Sequence, residues 1–189
     1  LNACQNYSLS HCDQTEQLGT GHAVMCASNT IKETNAEHVI ILAGDCPLIQ
    51  SSTLSDLMQT HQNTKASATI LTGSLPDAGN YGRIIRNNNH TITAIQEAKD
   101  CTPQQLRINE FNSGIYCFNA ADLLTSLNHI QTNNAQNEYY LTDIITILTK
   151  ANKTVSGHCI NTVYEVLGAN TQSELEALNQ KAQQLTQIL

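Results

Sequence analysis

Hydrophobic positions fall along this chain in short unbroken runs and in longer helical stripes, and the two kinds alternate. Val39–Leu42, within EHVIILAGDCPLI, is a continuous apolar run that stops at Gly44-Asp45. A short run of β-branched residues of this kind predicts a strand buried on both faces. SSTLSDLMQTHQ follows with helical spacing, and its Thr53 and Asp56 stand at the separation of a capping box. ASATILTG (66–73) predicts a second buried strand. GRIIR and TITAIQE, separated by Asn87–His90, predict a hairpin with an Asn-rich turn.

Further along, EFNSGIYCFN (110–119) predicts a strand and AADLLTSLNHI a helix. EYYLTDIITILTKAN predicts another helix, striped by Ile144, Ile145, Ile147 and Leu148. VSGHCI and VYEVLGAN predict short strands. SELEALNQKAQQLTQIL predicts an amphipathic helix with Leu175, Leu178, Ala182 and Leu185 on one face, opened by a Thr171…Glu174 box. Strands alternating with helices indicate an α/β fold with a mainly parallel sheet and flanking helices. No repeat, low-complexity tract or linker interrupts residues 1–189, which reads as one domain.

Charge narrows the partners. Against 16 Asp+Glu stand 9 Lys+Arg, a net charge of −7, which argues against nucleic acid or an anionic membrane as a partner. A small phosphorylated ligand bound through a metal ion remains compatible. No apolar run approaches the roughly 20 residues that span a bilayer. The seven cysteines are scattered and contain no C-x-x-C pair, a usage that predicts reduced thiols in a cytoplasmic protein.

Asp45 stands just beyond the carboxyl end of a predicted strand, where open α/β sheets place their ligands. A carboxylate after a glycine suits a divalent cation there, and a turn cap is the alternative. Asn170 in EVLGAN repeats the pattern of strand, glycine and side-chain oxygen, with a helix N-cap as its alternative. Two hard oxygen donors completed by water and ligand phosphates suit Mg²⁺ rather than a soft metal. Gly82 in NYGRI would let a sugar lie against backbone, and Glu97 in QEAKD would accept from sugar hydroxyls. Taken singly, a strand-entry turn glycine and a solvated carboxylate on a hairpin edge are the preferred readings of the two. Asn112 is polar inside an apolar strand, which demands a partner or a ligand. The Gly19-Thr20-Gly21 turn permits close approach of a ligand or of another backbone. His22 reads as a structural hydrogen-bonding residue, and no Ser/Cys–His nucleophile arrangement is visible.

QTEQLGTGHA, LAGDCPLI, NYGRI, FNSGIY, NNAQNEYYLTDII and EVLGAN occur in one order along essentially the whole chain. In that order and spacing they resemble the uridyltransferase domain of the bifunctional N-acetylglucosamine-1-phosphate uridyltransferase / glucosamine-1-phosphate acetyltransferase family. Gly-Thr-Gly-His or Gly-Asp-x-Pro-Leu alone would indicate only the wider nucleotidyltransferases, whereas NAQNEYYLTDII is specific. The resemblance implies a Rossmann-like nucleotide-diphospho-sugar transferase fold and a Mg²⁺-dependent transfer from UTP to N-acetylglucosamine 1-phosphate, giving UDP-N-acetylglucosamine and pyrophosphate. It implies that Gln14 reads the uracil edge and that Gly19 and Thr20 hold base and ribose. Ala43, Gly44 and Asp45 would line the nucleotide–sugar junction, although the family often carries an aromatic residue in place of Ala43. Gly82, Glu97 and Asn112 would contact the sugar, with Asp45 and Asn170 as the catalytic magnesium ligands.

The family's Gly-rich LAAGxGTRM…PK segment is absent from this sequence, as is the hexapeptide-repeat β-helix through which the family trimerises. The resemblance therefore implies a partial domain, 1–189, truncated at its N-terminus and inactive alone, in a homotrimeric parent. Two other readings stay open: a non-catalytic sugar-nucleotide-binding module, and another sugar-phosphate or molybdenum-cofactor nucleotidyltransferase. A metal-dependent glycosyltransferase is disfavoured because Asp45-Cys46-Pro47 is no Asp-x-Asp pair.

Overall fold

Ala68–Ser74 carries six buried residues in succession, a pattern that only a strand covered on both faces allows. It is the second of six strands among the described residues. In chain order the computed structural model places α1 (Thr20–Cys26), α2 (Ser28–Glu33), β1 (His38–Ile41), α3 (Ser51–Thr64), β2 (Ala68–Ser74), β3 (Arg83–Arg86), β4 (Ile92–Gln96), β5 (Glu110–Asn119), α4 (Ala120–Leu127), α5 (Asp143–Lys150), β6 (Val155–Cys159) and α6 (Gln172–Thr186). The structure describes residues 9–169 and 171–186, without the side chains of residues 185 and 186.

The sheet runs β4-β3-β5-β2-β6, with β1 also paired to β5. Only β2 and β6 pair in parallel; β1–β5, β2–β5, β3–β4 and β3–β5 are antiparallel. The α/β class with flanking helices holds, and the mainly parallel pairing is corrected. The reason lies in β5. Strands β1, β2 and β6 point the same way, but the β3–β4 hairpin returns the chain reversed, so β5 enters antiparallel between β1 and β2.

Alternate residues of β5 feed two cores. Tyr116 and Phe118 join Ile70, Leu123, Leu127, Ile144, Ile145 and Leu148 on the face covered by α4 and α5. Phe111, Ile115 and Cys117 join Leu57, Leu71 and Val166 on the face covered by α3. Sheets between two apolar helix layers are stabilised by this burial at about 25 cal/mol per Å² of apolar surface.

Other expectations shift locally. Thr53 and Asp56 form no capping box. Gln50 caps α3 without a side-chain bond, and Glu165 supplies the acceptor instead, taking hydrogen bonds from Thr53 Oγ1 at 2.5 Å and the Gln50 N–H at 3.3 Å. Val163–Val166 is a 3₁₀ turn rather than a strand, because it carries that capping glutamate to the start of α3. The helix expected over EYYLTDIITILTKAN is shorter, Asp143–Lys150, since Tyr139 and Leu141 bond to the chain before and within α1. The Thr171–Glu174 box is present and reciprocal: the Thr171 N–H donates to Glu174 Oε2 at 2.9 Å, and the Glu174 N–H to Thr171 Oγ1 at 3.2 Å. Leu178 is buried beneath α6, whereas Leu175 is exposed.

His61 on α3 is fully buried, with Nδ1 2.9 Å from Thr69 Oγ1, and it packs edge-to-face on His38 at 4.9 Å. Burial, aided by His38, holds its pKa below the ordinary 6.5. The unfolded chain therefore binds this proton more readily than the native one, so stability falls as pH drops through about 6.5, by at most about 1.4 kcal/mol per pH unit. Urea midpoints at pH 7 and pH 5 should show this loss in the wild type and a smaller one in His61→Asn.

Candidate active site

β5 has two edges, and their unequal coverage makes the site. β2 takes one edge. On the other, β3 pairs only at Phe111 and β1 only from Tyr116 to Asn119. Residues 112–115 lie between them without a strand. The backbone there is irregular: Gly114 adopts φ +78, Ser113 Oγ donates to the Leu71 carbonyl at 2.6 Å, and the β2–β5 register shifts beside it. A cleft of about 740 Å³ opens at this gap, lined among others by Thr20, Ala43, Gly44, Asp45, Gly82, Glu97 and Asn112. Five separate segments of the chain thus converge on one cavity.

Asn112 shows how the polar groups are set. Its Nδ2 donates to the Tyr116 hydroxyl at 2.7 Å, its Oδ1 accepts from the Gly114 N–H at 3.2 Å, and its own N–H donates to the Gly82 carbonyl at 2.8 Å. One amide hydrogen and one oxygen lone pair of the side chain stay free for a ligand. Glu97 faces the same space, its Oε1 accepting from Thr142 Oγ1 at 3.0 Å. Burial raises the Glu97 pKa, the Thr142 bond opposes that rise, and Asp100 and Asp143 add to it.

Asp45 is exposed at the end of the β1 turn. A Cβ on Gly168 would lie 2.5 Å from its Oδ2, so the carboxylate rests directly on backbone. Gly44 points an absent side chain into open space. The neighbouring Cys46 thiol is buried and pushed up to about 12, first by burial and then by Asp45. It is no nucleophile at neutral pH. Asn170 lies outside the described residues. Among those described, no group of three or more His, Cys, Asp or Glu gathers to hold a metal. Asp45 can still offer hard oxygen to a cation that keeps most of its ligands as water or phosphate.

The Gly-Thr-Gly turn serves the chain itself. Gly19 has φ +110, and a Cβ there would meet the Tyr139 carbonyl at 2.7 Å; the Gly21 N–H donates to that carbonyl, also at 2.7 Å. Both glycines thus let α1 dock on the Tyr139–Leu141 segment. Thr20 Oγ1 accepts from the Leu141 N–H at 3.1 Å and lines the cleft. Gln14 and Gly19 do not line it: Gln14 Nε2 is bound to the Gly19 carbonyl at 3.1 Å and to His22 Nδ1 at 3.2 Å. His22 is a hydrogen-bonding residue here.

Sequence reasoning missed Asn80, Tyr81, Ser113, Tyr116 and Thr142 as lining residues. A glycine inside an otherwise apolar strand, Gly114, was the available signal for a bulge there. Arg83 also differs from its neighbours in outlook. It follows Gly82 in NYGRI, yet it is fully buried and donates to the carbonyls of Ala78 and Tyr81, of Gly79 at 3.0 Å and of Leu106 at 3.4 Å. Lys99 lines an adjoining recess of about 300 Å³ with Glu97, Gln136 and Glu138.

The nucleotidyl transferase family pattern matches residues 3–183. The chain belongs to the nucleotidyl transferase family. It is 48% identical over 168 residues to a Clostridium perfringens (strain SM101) protein named bifunctional protein GlmU, an alignment covering 89% of this chain and 36% of that protein. A Clostridium tetani protein of the same name is 43% identical over 182 residues, 94% of this chain and 39% of the relative. One from Mycobacterium bovis (strain BCG / Pasteur) is 41% identical over 165 residues, covering 87% and 33%. The chain thus spans a little over a third of the length of the curated relatives it matches. Among the described residues no helix is long and apolar enough to cross a membrane.

Glu97 carries a testable cost. Its folded pKa is raised above the ordinary 4.5, so the ionised carboxylate disfavours the fold as pH rises through that value. Glu97→Gln should raise the thermal midpoint at pH 7 and lose that advantage near pH 4, as read by melting curves at both values.

Proposed function

We propose that residues 1–189 form part of a Mg²⁺-dependent uridyltransferase domain that makes UDP-N-acetylglucosamine and pyrophosphate from UTP and N-acetylglucosamine 1-phosphate. The reading supports a cytoplasmic protein that feeds cell-wall precursor synthesis and a homotrimeric parent. It rests on one observation above all: Thr20, Ala43, Gly44, Asp45, Gly82, Glu97 and Asn112, far apart in sequence, line one cleft.

In this reading Thr20, which lines the cleft, serves the uridine, and Gln14 and Gly19, bonded to each other outside it, hold the turn that presents Thr20. Glu97 and Asn112 hold the sugar by hydrogen bonds, with Gly82 letting it lie against backbone. The sugar phosphate oxygen attacks the α-phosphorus of UTP; the bond to the β-phosphate bridging oxygen breaks and pyrophosphate leaves. No protein nucleophile is needed, consistent with the protonated Cys46. Asp45 and Asn170 would hold Mg²⁺, which offsets the negative charge that develops on the phosphates. The protein contributes alignment of the reacting groups.

Asp45→Asn should abolish most pyrophosphate release with an unchanged melting curve, tested in this chain extended at its N-terminus by the segment that precedes the match in the Clostridium perfringens relative. Wild-type turnover would end the metal assignment. In the same protein, Glu97→Ala and Asn112→Ala should each cost about 1–3 kcal/mol in kcat/KM, expressed mainly in KM for the sugar phosphate rather than for UTP.

A second reading, a non-catalytic sugar-nucleotide-binding module, is favoured by Arg83, whose guanidinium serves backbone carbonyls instead of the cleft. The 189-residue chain alone should release no pyrophosphate, and the extended chain should do so in the presence of Mg²⁺. Inactivity of both would support the module.

A further inference from the structure

The Tyr81 hydroxyl has no part in the roles assigned above. Its ring leans on Phe111, with centroids 4.7 Å apart, next to the sugar-side Gly82. Its oxygen accepts a hydrogen bond from the Gly168 N–H at 3.0 Å, 87 residues further along the chain. Gly168 is the residue on which the Asp45 carboxylate rests, with space for no Cβ between them. The next amide, the Ala169 N–H, donates to the Asp45 carbonyl at 3.1 Å. Asn170 follows directly in sequence.

The loop from which the phenol projects is itself anchored. Arg83 binds the Ala78, Gly79 and Tyr81 carbonyls from behind, so the Tyr81 backbone is held on a buried guanidinium. Tyr81 therefore joins three parts of the site: the Asn80–Gly82 loop, the Asp45 turn and the segment leading to Asn170.

We infer that Tyr81 is a positioning residue: its phenol oxygen fixes Leu167–Ala169 against the Asp45 turn and so holds the Asp45 carboxylate in place to receive the cation. The inference rests on the cation reading given under Proposed function. It adds that the sugar-side loop and the cation end of the cleft are mechanically linked through one hydroxyl.

Tyr81→Phe tests this, because phenylalanine keeps the ring on Phe111 and removes only the acceptor. In the 189-residue chain, hydrogen exchange at the Gly168 amide should quicken about tenfold. An unchanged exchange rate there overturns the clamp. Mn²⁺ serves as the cation probe, followed by electron paramagnetic resonance with UDP-N-acetylglucosamine present. Its apparent Kd should rise about three- to tenfold in Tyr81→Phe, while metal-free affinity for the sugar nucleotide stays within about twofold. A general loss of stability would not separate these two affinities. Equal Mn²⁺ affinity in both proteins overturns the positioning role. A wild-type chain that takes up no Mn²⁺ sinks the cation reading and the positioning role with it, and the exchange result then reports on the clamp alone.

Discussion

Three of the other five strands pair with β5, and its reversed direction governs what surrounds the cleft. β2 covers one edge almost throughout. The opposite edge is shared by β3 at one end and β1 at the other, which leaves residues 112–115 facing a gap. Backbone groups in such a gap would be orphaned if the strand stayed regular. The bulge solves this with local partners: Ser113 and Asn112 side chains accept the Ile115 and Gly114 amides, and the Gly82 carbonyl takes the Asn112 amide. The site is therefore a consequence of how the sheet is ordered.

Electrostatics then limits what the cleft can accept. Asp45 and Glu97 both line it, Asp100 and Asp143 raise the Glu97 pKa, and the chain as a whole carries a net charge of −7. Arg83, the cation nearest by sequence, is turned away and buried among carbonyls. A phosphorylated ligand entering such a space meets repulsion unless a cation accompanies it, since like charges in a partly desolvated cavity are poorly screened. A positive charge that arrives with the ligand, or Lys99 from the adjoining recess, would offset that repulsion.

β1 has a different character from the other inner strands. All four of its residues are only partly buried, and Leu42 beyond it is 48% exposed: Val39 and Ile41 pack on one core and Ile40 on the other, while the same run lines the cleft. Its second edge carries no strand among the described residues. Unpaired apolar edges invite pairing with another strand.

The sequence by itself determined the α/β class, most of the elements and the motif residues, because these depend on local periodicity and short-range bonding. The run 68–74, the hairpin around Asn87–His90 and the Thr171–Glu174 box are of this kind. Tertiary structure decided what local pattern could not carry. Strand direction and order depend on pairing between distant segments, so a mainly parallel sheet was expected where one reversed strand makes most pairs antiparallel. Val39–Leu42 read as doubly buried because an apolar run records hydrophobicity, while burial depends on which neighbours arrive. Arg83 was legible as a charge in NYGRI, but only folding showed that the carbonyls of the 78–81 loop and of Leu106 take its guanidinium. Tyr81 lay in NYGRI without a role of its own: its meaning comes from an amide 87 residues away, a distance at which sequence holds no geometric information.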